Sequence, residues 1–306
     1  MRVFVTGASG HIGGAVLTEL VGAGHQVLGL ARSDTGAAKV ADLGAEVLRS
    51  DLDDLDALGR AAAESDGVIH LAFRHDWMRT GDFNAAVESD LQAIQAMGRA
   101  LEGTDKPFVT TSGTLMLAFG GITGRPGTEA DVITGLPRTE AEAYTIELAQ
   151  RGVRSSAVRL PPTVHSDLDH HGFVPTLIEF ARAHGHAGYV GDGSNRWPAV
   201  DTRDAARVYR LALESAPAGT RLHAVAEEGI QFRQIAEAIG QGLGVPVQSV
   251  GETDVDEYFG FLARFVGADG PISSTVTRQL LGWAPERPGL LEDLGQEHYF
   301  TAPTAA

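Results

Sequence analysis

The sequence predicts an α/β chain: a doubly wound parallel sheet with helices on both faces and a smaller C-terminal lobe. Three observations predict it. Short apolar runs alternate with helical patterns through the first half, as in a sheet buried on both faces. The first run leads straight into Gly7-x-x-Gly10-x-x-Gly13 and an apolar helix. The length, 306 residues, fits about two domains with ample chain for a core.

The first strand, residues 2–5, and the helix after it (Ile12, Val16, Leu17, Leu20, Val21) put the glycines where a pyrophosphate is held. Gly7 turns the chain off the strand, Gly10 lets the backbone approach a phosphate, and Gly13 packs the helix close to the sheet. The helix N-terminus then offers free N–H groups and a partial positive charge. Further strands are expected at 26–30, 46–48, 67–71, 108–111 and 154–159. From Asp82 to Leu101, Phe83, Val87, Leu91, Ile94, Met97 and Leu101 recur at helical spacing. Another helix is expected near Thr139, where Thr139-x-x-Glu142 reads as a capping box. After Leu160 the regularity falls away. Pro161-Pro162 and a stretch rich in His, Asp and Gly lead into shorter elements and a tail through Leu280–Pro285. The division expected is a dinucleotide-binding domain over 1–160, with 200–225 returning to it. The substrate lobe is assembled from 161–199 and 226–306, with the ligand cleft at the carboxyl ends of the strands.

Composition excludes several classes. A formal charge of −16 argues against nucleic acid or an anionic membrane surface as partner. Cysteine is absent, so there is neither disulfide nor thiolate metal site, which suits a reducing cytoplasm. No signal peptide or membrane span is visible, and a cytoplasmic enzyme with a small-molecule substrate is expected. A homodimer through helices 82–101 and 139–151 is the expected assembly. The only lysines are Lys39 and Lys106.

Several motifs in order resemble one family. Thr6–Gly13, Ser50-Asp51-Leu52, His70-Leu71-Ala72, Arg159–Thr163, Gly191-Asp192-Gly193 through Val200–Ala206, and Leu281–Pro285 are similar to segments of the short-chain dehydrogenase/reductase superfamily. The resemblance is to its extended or atypical branch, related to NAD-dependent epimerase/dehydratases, and covers nearly the whole chain. It implies a Rossmann domain binding a nicotinamide dinucleotide. The implied cofactor contacts are Gly7, Ser9, Gly10, His11, Ile12, Gly13, Asp51, Leu52, Leu71, Ala72, Phe73, Thr111, Pro161 and Thr163.

The second strand ends Leu28-Gly29-Leu30-Ala31-Arg32-Ser33, with no acid before Asp34. An NAD enzyme places Asp or Glu there for the ribose hydroxyls, whereas Arg suits the 2′-phosphate of NADP. Arg32 and Ser33 therefore point to NADP(H).

The resemblance breaks at the centre of the reaction. Most of the superfamily uses Tyr-x-x-x-Lys on the helix after the fifth strand, the Lys lowering the Tyr pKa so that it can exchange a proton. Alignment on Thr139–Ala143 puts Leu136 and Glu140 at those positions. None of the five tyrosines has Lys four residues later. Candidate replacements are Ser112 and Thr114 after the fifth strand, His165 after Pro161-Pro162-Thr163-Val164, and Tyr144. The segment Phe73–Met78 is read as a loop suited to a flat or polar ligand. His170 and His171 are placed on the opposite wall. His165, Asp167, Asp169, His170 and His171 share one loop without fixed ligand geometry, so no metal is expected.

Two functions from different classes follow. One is an NADPH-dependent reductase acting on a ketone, an iminium or another activated electrophile, where positioning outweighs protonation. The other is a non-catalytic NADP(H)-binding sensor. A nucleotide-sugar epimerase or dehydratase, using Arg196 and Arg203 for phosphate, is the weaker third.

Overall fold

The structure, a computed structural model, describes residues 1–301, and the side chains of these except at 78–80. Strand and helix alternate from the start: β1 (Arg2–Thr6), α1 (His11–Gly22), β2 (Gln26–Ala31), α2 (Asp34–Asp42), β3 (Glu46–Arg49), α3 (Leu55–Ala63), β4 (Gly67–His70), α4 (His75–Thr80), α5 (Phe83–Leu101), β5 (Pro107–Gly113), α6 (Leu115–Phe119), α7 (Thr139–Glu147) and β6 (Arg154–Leu160). There follow β7 (Thr163–His165), α8 (Phe173–His184), β8 (Ala187–Val190), β9 (Arg196–Asp201), α9 (Thr202–Ser215), β10 (Thr220–His223), β11 (Glu227–Gln231), α10 (Phe232–Leu243), β12 (Val247–Val250), α11 (Val255–Phe259), α12 (Ala263–Val266), α13 (Thr275–Leu281) and α14 (Leu290–Asp293).

The main sheet has seven strands in the order β10-β6-β5-β4-β1-β2-β3. Every pairing in it is parallel. Val3, Phe4 and Val5 are fully buried, because helices cover both faces and leave no solvent side for a polar alternation. One face packs Val16, Leu17 and Leu20 of α1 against Val208, Tyr209 and Leu213 of α9. The other packs Phe4 and Leu58 against Ile94, Met97 and Leu148. The chain leaves β1 for β2 on one side and returns to β4 on the other, so the crevice lies outside the carboxyl ends of β1 and β4.

Residues beyond Leu160 are more regular than their sequence suggests. β11-β9-β7 make a three-stranded sheet and β12-β8 a two-stranded one. Trp197, Phe232, Ile235 and Phe259 fill a core of their own beneath them. These strands are three to six residues long, too short for a periodic signal. Two local expectations are also corrected. Residues 73–78 are not all loop, since α4 begins at His75. The capping box does not form: Arg138 is the N-cap of α7, Thr139 Oγ1 donates to Leu136 O at 2.6 Å, and Glu142 points into the interior. Thr139 N already donates to Leu136 O at 3.2 Å, and the buried guanidinium of Arg159 draws Glu142 more strongly than a backbone N–H would.

Candidate functional site

The glycine loop is built from three close approaches. Gly7 has φ +68°, and a Cβ there would lie 2.8 Å from the Ala72 nitrogen. A Cβ on Gly13 would lie 2.0 Å from Gly7 O, so no side chain fits. Gly10, the N-cap of α1, has no side chain to cap the helix, and the first-turn N–H groups at His11, Ile12 and Gly13 have no intrahelical acceptor, as at any helix start. An anion is the natural partner for such an end, and a dinucleotide diphosphate fits this cradle. Ser9 lies beside it. A Cβ on Gly36 would sit 3.2 Å from both the Ser9 and the Ser33 hydroxyl, so these two converge at the start of α2. Ser33 caps that helix, accepting from Gly36 N at 3.1 Å. Arg32 stands next to them, its side chain 64% exposed and 3.5 Å from the Asp76 carboxylate. The first acid after β2, Asp34, is bound by Arg49 at 2.8 Å.

At the carboxyl ends of β1, β4 and β5 a buried polar chain runs behind the crevice. Leu71 N and Ala72 N both donate to Thr6 Oγ1 at 3.2 Å. The Thr6 hydroxyl proton is therefore left for His70 Nδ1 at 2.7 Å, which makes His70 an Nε2–H tautomer donating to Asp90 Oδ1 at 3.1 Å. The other Asp90 oxygen lies 3.6 Å from Arg138. Arg138 donates to Thr111 O at 3.0 Å and stacks over the Phe73 ring at 4.3 Å. Thr111 Oγ1 donates to His70 O at 2.8 Å and meets Tyr209 Oη at 2.9 Å, where burial pushes the phenol pKa up. Leu71, Ala72, Phe73 and Thr111 thus share one rim. Sequence reasoning missed Arg138, Asp90 and Tyr209. No local motif carries them, because they meet only when three strands and three helices are assembled.

An open cleft of about 440 Å³ is lined by Thr134, Gly135, Leu136, Thr139, Glu140 and Ala143. It holds both positions aligned with the family's Tyr and Lys, and neither a phenol nor an ammonium lines it. Behind α7, Glu142 accepts from Arg159 at 2.9 and 2.6 Å and from Arg221 at 2.9 Å. Burial alone would raise the Glu142 pKa, but Arg159, Ser112 and Arg221 hold it below the usual value. Ser112 is buried against Met116 Sδ at 3.8 Å. Thr114 is buried with Oγ1 unpartnered. Ser112 stands near the end of β5 and Thr114 just beyond it, so β5 runs two residues further than the sequence suggested.

The other two candidate proton donors lie away from the β5 end. Tyr144 packs with the core beside Gly98 and Leu148, its hydroxyl buried and unpartnered. His165 is fully buried on β7, its Nδ1 2.8 Å from the Asp293 carboxylate and its Nε2 unpartnered. His11 reaches across from the phosphate loop to Thr202 Oγ1 at 2.6 Å and Asp169 at 3.6 Å. Burial lowers the His11 pKa to about 4 and raises that of Asp169 to about 7. His170 and His171 are exposed, and among the described residues no three His, Asp or Glu side chains are grouped to hold a metal. Asp51 Oδ1 accepts from Asp53 N at 2.9 Å, while Leu52 is buried in the core. Pro161 and Thr163 are buried, and Thr163 Oγ1 donates to Pro198 O at 2.5 Å. Arg196 and Arg203 are paired to Asp269 and Asp167, both at the surface. No helix among the described residues is long and apolar enough to cross a membrane.

Comparison with known proteins agrees with this geometry. The chain is 45% identical over 302 residues to uncharacterized protein C2A9.02 of Schizosaccharomyces pombe, covering 98% of this chain and 100% of that one. It is 30% identical over 257 residues to 2-alkyl-3-oxoalkanoate reductase of Stenotrophomonas maltophilia, covering 80% and 77%. Its fold matches the UDP-glucose 4-epimerase of Thermotoga maritima at TM-score 0.77 and 18% identity, covering 98% of each chain. The model of the NAD dependent epimerase/dehydratase family matches residues 3–225, and with a parallel seven-stranded sheet and an intact glycine cradle the chain belongs to that family, an extended branch of the short-chain dehydrogenase/reductase fold.

Proposed function

We propose that this protein is an NADP(H)-dependent reductase that passes hydride to a small organic acceptor without the Tyr-Lys pair. The observation that carries the reading is the end of β2. There an exposed guanidinium, Arg32, and two hydroxyls, Ser9 and Ser33, converge beside a helix N-terminus, and the nearest following acid is already paired with Arg49. That set suits a 2′-phosphate better than a pair of ribose hydroxyls. The glycine loop and the α1 N-terminus hold the diphosphate. Asp51, Leu52, Leu71, Ala72, Phe73, Thr111, Pro161 and Thr163 line the remaining length. When bound, the nicotinamide supplies the hydride. Of the four side chains considered for handling a proton, Ser112 and Thr114 stand at the strand end, and the unpartnered Thr114 hydroxyl is the freer donor. The named reductase relative supports this reading.

The family match supports a nucleotide-sugar epimerase or dehydratase equally well. Against it, oxidising a sugar alcohol in this family relies on the Tyr-Lys pair as base, and the aligned positions hold Leu136 and Glu140 instead. Arg196 and Arg203, the arginines considered for a sugar-nucleotide phosphate, are committed to ion pairs. A non-catalytic NADP(H) sensor would share the binding site and lack turnover. Fluorescence titration with NADPH and NADH decides the cofactor. NADPH should bind at least tenfold more tightly, and Arg32→Ala should remove most of that ratio, since one charged phosphate contact is worth about 1.5–3 kcal/mol. Equal affinities in the wild type, or a ratio untouched by Arg32→Ala, reject it. Turnover of UDP- or dTDP-sugars without carbonyl reduction would establish the epimerase or dehydratase.

A further inference from the structure

We propose that Arg138 receives the substrate's oxygen, and that the acceptor is therefore a neutral or anionic carbonyl compound, not an iminium or cationic dye. This rests on the reductase reading above and narrows its substrate.

Arg138 is held at a cost. With Asp105 it is one of two non-glycine residues at positive φ among the described residues, at +68°, a conformation worth roughly 1–2 kcal/mol of strain. What retains it there is its side chain. The guanidinium fills the gap between the carboxyl ends of β4 and β5, bound to Thr111 O and stacked on Phe73. Asp90, 2% exposed, sets its charge from behind, and Asp90 is itself fixed by His70 and Thr6. Thr6 is the residue before Gly7, so this chain ties Arg138 to the phosphate loop. The Arg138 side chain is 20% exposed, and its Nε is buried without a partner. Nη2 makes both contacts, with Thr111 O and Asp90, so the exposed fifth of the side chain is what an incoming oxygen would meet.

No lysine serves this place. Lys106 donates to Ala63 O at the amino end of β5, and Lys39 lies on α2. Arg74 is paired with Asp53, and Arg264 lies between the rings of Phe83 and Phe265. Arg138 is the cation seated between the two strand ends. When hydride adds to a carbonyl carbon, the π pair moves to oxygen, and a guanidinium stabilises that growing charge without giving up a proton. In balance, the carbonyl compound, the reduced nicotinamide dinucleotide and one proton from water yield the alcohol and the oxidised dinucleotide. The same charge repels a cationic acceptor.

The test uses the wild type, Arg138→Lys and Arg138→Gly. Glycine accepts the left-handed backbone, so the second variant loses the guanidinium without backbone strain, and a thermal melt checks that the fold survives the unpaired Asp90. NADPH affinity, read by fluorescence, should stay within about threefold in all three. With ketones, 3-oxo acids and quinones, kcat of Arg138→Gly should fall by about 100-fold, the scale of losing one donor to an oxyanion. Arg138→Lys should retain part of the rate, and millimolar guanidinium should partly restore Arg138→Gly. Wild-type carbonyl turnover that survives in Arg138→Gly overturns the proposal, as does wild-type turnover of cations alone, or binding of NADPH with no carbonyl turnover. A wild type that binds no dinucleotide overturns the reductase reading, and this proposal with it.

Discussion

Gly13 is the residue with least freedom to change. Its missing Cβ leaves room for the Gly7 carbonyl, and restoring that atom would bring the two to 2.0 Å. Backbone meets backbone there, so neither side can swing away. Gly13→Ala should lower stability by about 2–4 kcal/mol and abolish dinucleotide binding, read by thermal unfolding and NADPH fluorescence. An unchanged melting temperature would refute the tight packing. This residue was legible in the sequence because one motif states a backbone requirement. Arg32 was legible for the same reason, as a charge at a fixed place after a strand. Arg138 was not. Nothing in Leu136-Pro137-Arg138 announces a left-handed N-cap, and its partners Thr111, Asp90 and Phe73 arrive from three other elements.

At the level of elements, α7 shows how a correct helix can carry a wrong explanation. The helix was expected at Thr139 and lies there, but Glu142 does not close a capping box. It neutralises Arg159, which is fully buried, and shares Arg221. Two charges held out of water stabilise little as a pair, yet removing one leaves the other uncompensated. Glu142→Gln should therefore destabilise the protein by about 3–5 kcal/mol, measured by urea unfolding. Arg159→Met combined with Glu142→Leu should cost less than the sum of the two single changes. Additive costs would show that the pair is not coupled. Leu136, just ahead of this helix, and Glu140 on it both line the open cleft.

On the scale of the whole molecule, His11 and Asp169 join the phosphate loop to the segment leading into α8. Burial lifts the Asp169 pKa to about 7, with Asp293 raising it further and Gly172 N, His171 N and His165 opposing. The folded state thus holds a proton that the unfolded chain has released above about pH 4. Stability from this group is complete below that point and is lost as pH rises towards 7, by up to about 4 kcal/mol. His11 acts in the other direction. Burial lowers it to about 4, so its contribution is present above pH 6.5 and lost as pH falls towards 4. Asp169→Asn removes the titrating acid and keeps an oxygen for Gly172 N. The variant should gain stability relative to the wild type between pH 5 and 8, in thermal melts taken across that range. Parallel pH curves for the two proteins would exclude the buried acid as the cause.

The sequence by itself determined the α/β alternation, the dinucleotide loop, the charge at the end of β2 and the loss of the Tyr-Lys pair. Each is local: a spacing, a glycine that must lack a side chain, or a residue type missing from the whole chain. Only the tertiary structure decided that the residues after Leu160 build two further sheets around their own core, because strands of three to six residues are too short to show a period. It also decided that His165 is buried, that the Tyr144 hydroxyl is turned inward, and that Arg138 stands between β4 and β5. Burial and charge pairing depend on which distant segments fill the same space, and no window along the chain contains that information.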